Sequence, residues 1–358
     1  MSVASPPEAS RRDDAAAIPP ETVQDQWAVL SLARFILALI VVSSHSCDFL
    51  GNPGIYRKIN YLTGGAAVVG FLLISGYSIA ASYERERSRF YARRLWRIAP
   101  LYLTVLPLCL PIAFAFHGQQ MPGGQQVTVP TLWQFVCHLF MLNGWVMRTF
   151  DLNMPVWSLA VEAFFYLVTP LLARLKPPAL LTIIGISAAS YFLYLQMGWP
   201  WPLNSTGGLV VLYMAWAWIA GFYYYRYRTL FARYLMVVLP IPMVVNVLGP
   251  FGALIASSAA MTLAEAKRIR LRPGWIKPMI YAGEISYPLY LVHWPVIEVS
   301  YWLLHIHSYA LWMILPIPVA MLAYHAIDKP LRSLGRKLGD RRAASMVGST
   351  QIPAQGQT

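Results

Sequence analysis

Charge is scarce in this chain. Only 12% of its 358 residues are Asp, Glu, Lys or Arg, about half of the ~25% usual in soluble domains. With 57% hydrophobic residues and a mean hydropathy of +0.49, a water-facing surface over most of the molecule is excluded. Acidic groups are fewest, 15 against 28 Lys and Arg, which leaves a formal charge of +13. That excess does not indicate nucleic acid, because the basic residues sit in short clusters between apolar runs, as they do on one side of a multi-pass membrane protein. Cysteine is nearly absent. Cys47, Cys109 and Cys137 lie singly in or beside apolar runs, which excludes a disulfide framework or a metal motif and fits buried thiols. No metal is expected at His305 and His307 either, which read as loop residues.

What the chain does have is long apolar runs. Spans can be drawn at about 28–47, 61–82, 98–116, 157–173, 178–196, 209–225, 234–250, 251–266, 284–304 and 309–327, near the ~20 residues a bilayer requires. This predicts an all-α polytopic membrane protein of about ten transmembrane helices. Residues 27–338 form the membrane domain, flanked by disordered polar tails at 1–26 and 339–358. An arginine interrupts any leader-like h-region, so the first span is expected to remain as an anchor. With both termini in the cytosol, every Lys and Arg falls on the cytosolic side except Arg57, Lys58, Arg148 and the intramembrane Arg34. The same orientation requires residues 131–148 to be an interfacial or re-entrant segment on the outer side. The pair 234–250 and 251–266 is divided only by Gly249-Pro250.

Arg34 and His45 lie eleven residues apart in the first span. Eleven helical steps make three turns plus ~20°, so both side chains leave one stripe about 16 Å apart. A buried arginine costs at least ~2.5–3.5 kcal/mol on insertion scales. It therefore faces protein or water, and with His45 it outlines a polar path across the membrane. Arg93 and Arg97 share a helical face beside Arg94 in the loop Arg85–Arg97, and a guanidinium fork of this kind suits a polyphosphate. Glu162 is an acid about one turn into the apolar helix that begins Trp157-Ser158. His293 follows Ser286-Tyr287 near mid-membrane, beside Trp294 and Pro295. Ser75-Gly76 in the second span suits close approach of a neighbouring helix. Each also has a structural reading: a snorkelling arginine, an interface histidine, an acid paired with a cation, a histidine bonded as packing glue.

Taken in order, these residues resemble the acyltransferase 3 family of bacterial transmembrane O-acyltransferases. The likeness rests on Arg34-x10-His45, on Phe71 to Gly76, on Arg93 to Pro100, on Trp157 to Glu162 and on Ser286 to Pro295. It closes with Asp328-Lys329-Pro330-Leu331-Arg332, where the family usually carries Glu. The resemblance implies transfer of an acyl group, usually acetyl, from cytosolic acyl-CoA to a hydroxyl of a glycan or lipid-linked oligosaccharide. That places the protein in the bacterial cytoplasmic membrane, among membrane lipids and near polysaccharide assembly proteins. Arg93, Arg94 and Arg97 would then hold the CoA phosphates, and Arg34 would draw in the donor. His45 would be general base or acyl carrier, with Glu162 orienting it. Ser75, Trp157, Ser158, Tyr287 and His293 would line the substrate path. The rival reading is a transporter or flippase with Arg34 and His293 as substrate and proton sites.

Overall fold

The computed structural model describes residues 20–50, 55–122, 126–147, 151–197 and 207–349. Its helices are α1 (Pro20–Asp48), α2 (Ile55–Arg85), α3 (Phe90–Leu108), α4 (Leu110–Ala115), α5 (Leu132–Leu139), α6 (Trp157–Leu172), α7 (Pro177–Gln196), α8 (Leu209–Tyr227), α9 (Leu230–Val238), α10 (Pro240–Glu265), α11 (Pro273–Trp302), α12 (Tyr309–Ile314), α13 (Pro316–Ala323) and α14 (Lys329–Ser349). A five-residue π-helical turn at Tyr324–Asp328 joins the last two. Among the described residues there is no strand beyond two isolated bridges. By length and composition, six helices within them could cross a membrane: Val23–Asp48, Thr63–Arg85, Phe90–Ala115, Asn153–Leu172, Pro177–Gln196 and Tyr309–Asp340. The protein is therefore an all-helical, multi-pass membrane protein. Helices α8 and α11 are richer in Tyr, Trp and polar groups and pack inside this set.

α2 is the central element, lying against α1, α6, α8 and α10. Lipid gives no hydrophobic drive for helix association, so packing depends on small residues that let backbones meet. Gly76 and Gly221 do this between α2 and α8. A Cβ on Gly76 would lie 1.9 Å from the Trp218 carbonyl oxygen, and one on Gly221 would lie 2.0 Å from that of Leu73. The near face of α8 is buried from Val210 to Tyr223, where Trp218 stacks on Phe165 of α6 at 4.7 Å.

The division expected at Gly249-Pro250 is a break inside α10, where Gly249 adopts φ 66° and ψ −176°. This is a backbone state open chiefly to glycine. Within the expected re-entrant segment 131–148, the helix α5 has only eight residues. At 1.5 Å per residue it is about 12 Å long, too short to cross a bilayer. Its start is fixed by a capping box between Thr131 and Gln134.

Both polar tails are shorter than expected. α1 begins at Pro20, because Asp25 and Gln26 are buried and Gln26 donates to the Tyr77 hydroxyl at 2.6 Å. α14 continues to Ser349. It is held to the start of α3 by the Arg89–Asp340 ion pair at 2.6 Å and by close packing of Gly335 on Trp96. Residues 1–19 and 350–358 of the expected tails lie outside the described residues, as does Arg148.

The two glycine environments generate a test. Gly76→Ala should destabilise the bundle by about 1–3 kcal/mol through overpacking. Gly185→Ala, on α7 with open space around the glycine, should leave stability unchanged or raised. Thermal unfolding of the purified protein in detergent measures both.

Candidate active site

The site grows from one face of α2. Ser75, Ser78 and Ser82 follow at steps of three and four, so their hydroxyls line one stripe. Each meets an ionisable side chain from a different helix. Ser75 donates to Glu162 of α6 at 2.8 Å. Ser78 accepts from the Arg34 guanidinium of α1 and donates to the Ile74 carbonyl at 2.7 Å. Ser82 accepts from Arg94 of α3 at 2.6 Å. The spacing signal was present in the sequence, but only Ser75 had been singled out.

Two cavities meet at this stripe. The inner one, about 140 Å³, is lined by Arg34, Ser75, Ser78, Ser158, Glu162 and Tyr166, with Arg94, Arg97, Tyr287 and Tyr290 also on its wall. The Glu162 carboxylate accepts from Ser75 and from Tyr166, the latter at 2.5 Å. Apolar side chains of Val68, Phe71, Leu72, Ile98 and Leu159 complete the wall. The wider cavity, about 700 Å³, opens at the basic end of the bundle and includes Arg85, Arg89, Arg93, Arg332 and Arg336. Arg34, Ser78, Arg94 and Arg97 line both, so the two spaces share a wall.

Partners within the protein sort the predicted arginines. Arg93 forms an ion pair with Glu86 and donates to the Ser82 carbonyl at 3.0 Å, so its guanidinium is largely engaged. Arg97 lies 6.0 Å over the ring of Tyr287, whose hydroxyl donates to the Ile98 carbonyl at 2.7 Å. Arg94 lies 5.7 Å over the Tyr166 ring. Arg332, the last residue of the closing motif, pairs at 2.5 Å with the fully buried Asp328 that opens it.

His45 does not line either cavity, and the path expected to join it to Arg34 is interrupted. The wall between them is Tyr290. Its hydroxyl is bonded to Ser158 and to the Pro155 carbonyl, both at 2.7 Å, and its ring lies 5.9 Å from Phe71. Behind it, 5.9 Å away, is the ring of His293, fully buried, whose Nδ1 lies 3.2 Å from the Leu289 carbonyl. His293 stacks on His45 at 5.4 Å, and Trp294 meets His45 edge-on at 5.1 Å. His45 Nδ1 is 3.2 Å from the Asp48 carboxylate. The acid beside the imidazole is therefore Asp48, one turn further along α1, whereas Glu162, expected to orient His45, is bonded to Ser75 and Tyr166. Glu162 sits one turn, about 6 Å, beyond Ser158, on the Arg34 side of Tyr290. Trp157 is buried in the core and lines neither cavity. Sequence reasoning missed Asp48, Tyr166 and Tyr290. Asp48 had a signal, since i and i+3 share a face. Among the described residues no group of three His, Cys, Asp or Glu could hold a metal ion.

This arrangement offers an anion-receiving mouth, a small chamber with one carboxylate, and a carboxylate-held imidazole behind an aromatic wall. The comparisons agree in class. Residues 27–325 match the family model described as an acyltransferase domain, and the chain belongs to that family. It is 30% identical over 168 residues to the acyltransferase MdmB of Streptomyces mycarofaciens, covering 44% of this chain and 41% of that protein. Nodulation protein 10 of Rhizobium leguminosarum bv. viciae is 25% identical over 87% of this chain and 95% of its own length. The peptidoglycan O-acetyltransferase OatA of Listeria monocytogenes is 24% identical over 84% of this chain, which spans 55% of that protein. No solved structure matches the chain.

Proposed function

We propose that the protein is a membrane O-acyltransferase that moves an acyl group, acetyl by analogy with the relative named an O-acetyltransferase, from acyl-CoA to a hydroxyl of a cell-surface or exported glycan. The observation that carries this reading is the sequence of compartments: a guanidinium-lined mouth, a chamber sharing Arg34 with it, and the His45–Asp48 pair beyond Tyr290. Family membership supports acyl transfer, and the relative named as a peptidoglycan O-acetyltransferase supports a glycan acceptor.

In this reading α8, α9 continued by α10 up to Gly249, the rest of α10, and α11 cross the bilayer with the six apolar helices, for about ten spans. The basic clusters, and with them both termini, face the cytosol of a bacterium whose cytoplasmic membrane holds the protein. Arg94 and Arg97 take the donor phosphates through their guanidinium groups. Arg34 polarises the thioester end of the donor inside the chamber. The Tyr290 ring swings from Ser158 and opens the way to His45. Asp48 holds His45 Nδ1–H, leaving Nε2 to accept the acceptor's hydroxyl proton. The hydroxyl oxygen bonds to the acyl carbon, the carbon–sulfur bond breaks, and the proton leaves on the CoA thiol. Lipids and polysaccharide assembly proteins are the expected neighbours.

Two outcomes follow. With labelled acetyl-CoA and a glycan acceptor, His45→Ala should lower the transfer rate by at least about a hundredfold, and Asp48→Asn should give a smaller loss, while CoA binding persists in both. Normal transfer by His45→Ala at equal expression would refute the chemistry. In equilibrium binding, Arg97→Ala should weaken CoA more than Arg93→Ala, because Arg93 is already paired with Glu86. The opposite order would reassign the phosphate contacts.

A further inference from the structure

Among the described residues, two buried polar atoms beside His45 lack a hydrogen-bond partner, and the transfer step does not use them. His293 is fully buried on α11, with Nδ1 3.2 Å from the Leu289 carbonyl. A carbonyl can only accept, so Nδ1 carries the ring hydrogen and Nε2 is left as a bare lone pair. No donor among the described residues reaches it. Trp294 is also fully buried, and its Nε1–H meets no acceptor among them. Both rings rest on His45. His293 is stacked on it with 29° between the ring planes, and Trp294 meets it at 86°. An unmatched buried donor or acceptor is destabilising, and here one of each flanks the same imidazole. A group that both donates and accepts satisfies the two, and a hydroxyl is such a group. Water is a poor occupant, because beside a general base it would hydrolyse the acyl group being transferred. His45 is open to a second reactant, since its side chain is 19% exposed although it lines neither cavity. Tyr290, whose displacement the transfer step already requires, lies 5.9 Å from His293 and covers it on that side.

We propose that His293 sets the choice of acceptor hydroxyl. While His45 takes the proton of the hydroxyl to be acylated, His293 Nε2 accepts a hydrogen bond from a second hydroxyl of the same sugar, to which Trp294 Nε1–H donates. The acceptor class narrows to a sugar with two neighbouring free hydroxyls, of which one is acylated. This inference rests on the acyltransferase reading above. No bond forms or breaks at His293, so its loss relaxes the choice of hydroxyl, whereas loss of His45 abolishes transfer.

The test uses bacterial membranes that hold the full chain and their own glycan, with labelled acetyl-CoA, and reads the position of each acetyl ester by NMR of the recovered glycan. The wild-type chain should place the ester on one hydroxyl and leave its neighbour free. In His293→Phe, which keeps an aromatic ring and loses the lone pair, kcat/KM for the acceptor should fall about three- to tenfold. Esters should then appear on both hydroxyls. His293→Gln, which restores a side-chain acceptor, should return most of the selectivity. A second arm needs only the wild-type chain: removing the neighbouring hydroxyl from the acceptor should lower its kcat/KM by the same factor, and should cost His293→Phe nothing further. A single ester position with unchanged kcat/KM in His293→Phe would overturn the proposal. So would a wild-type chain indifferent to the neighbouring hydroxyl, or loss of all transfer in both folded variants, which would make His293 part of the chemistry itself. A wild-type chain that transfers no acetyl group would refute the acyltransferase reading, and this inference with it.

Discussion

A guanidinium carried at depth on an apolar helix cannot be left facing hydrocarbon, and the arrangement of this bundle follows from where that group is put. Arg34 is turned toward α2, whose serine stripe gives it a partner at Ser78. The stripe also receives Glu162 and Arg94, so three helices bring ionisable groups to one rod. The opposite need, tight packing without a hydrophobic drive, is met on α2 by Gly76 against α8. One helix therefore serves as packing spine on one side and polar wall on the other. The two cavities lie along the polar wall because side chains there point at one another and leave room between.

The same economy separates the two halves of the candidate chemistry. Everything that suits an anionic donor lies on the Arg34 side of Tyr290, and the imidazoles lie on the other. His45 and His293 stack closely, and only His45 has a carboxylate against it. A single tyrosine, bonded to Ser158 and Pro155, divides the compartments. Such a divider between two polar spaces in a membrane protein also limits leakage of water and small ions.

Helical class, the apolar runs and the glycine break were legible because hydropathy and backbone permissiveness act locally. Arg34, Glu162, Ser75 and the arginines of α3 were legible as well, since ionisable or paired polar groups in apolar sequence must meet something. What was not legible was who meets whom. The order of motifs along the chain can be read, and the family resemblance implied that Glu162 would orient His45. Neither tells of the aromatic ring that α11 inserts between them. The tails were misjudged for a similar reason. Composition made residues 20–26 and the stretch after 338 look unstructured, yet Gln26 finds Tyr77 and Asp340 finds Arg89 from distant parts of the chain.

The serine stripe has a mechanical consequence. Turning α2 by a single residue, about 100°, would unseat Arg34, Glu162 and Arg94 together and drive Gly76 out of its fit with α8. A rod pinned at so many points on two faces behaves as a stator. Any rearrangement between the two compartments then falls to side chains beside the stator, of which the Tyr290 ring is the nearest.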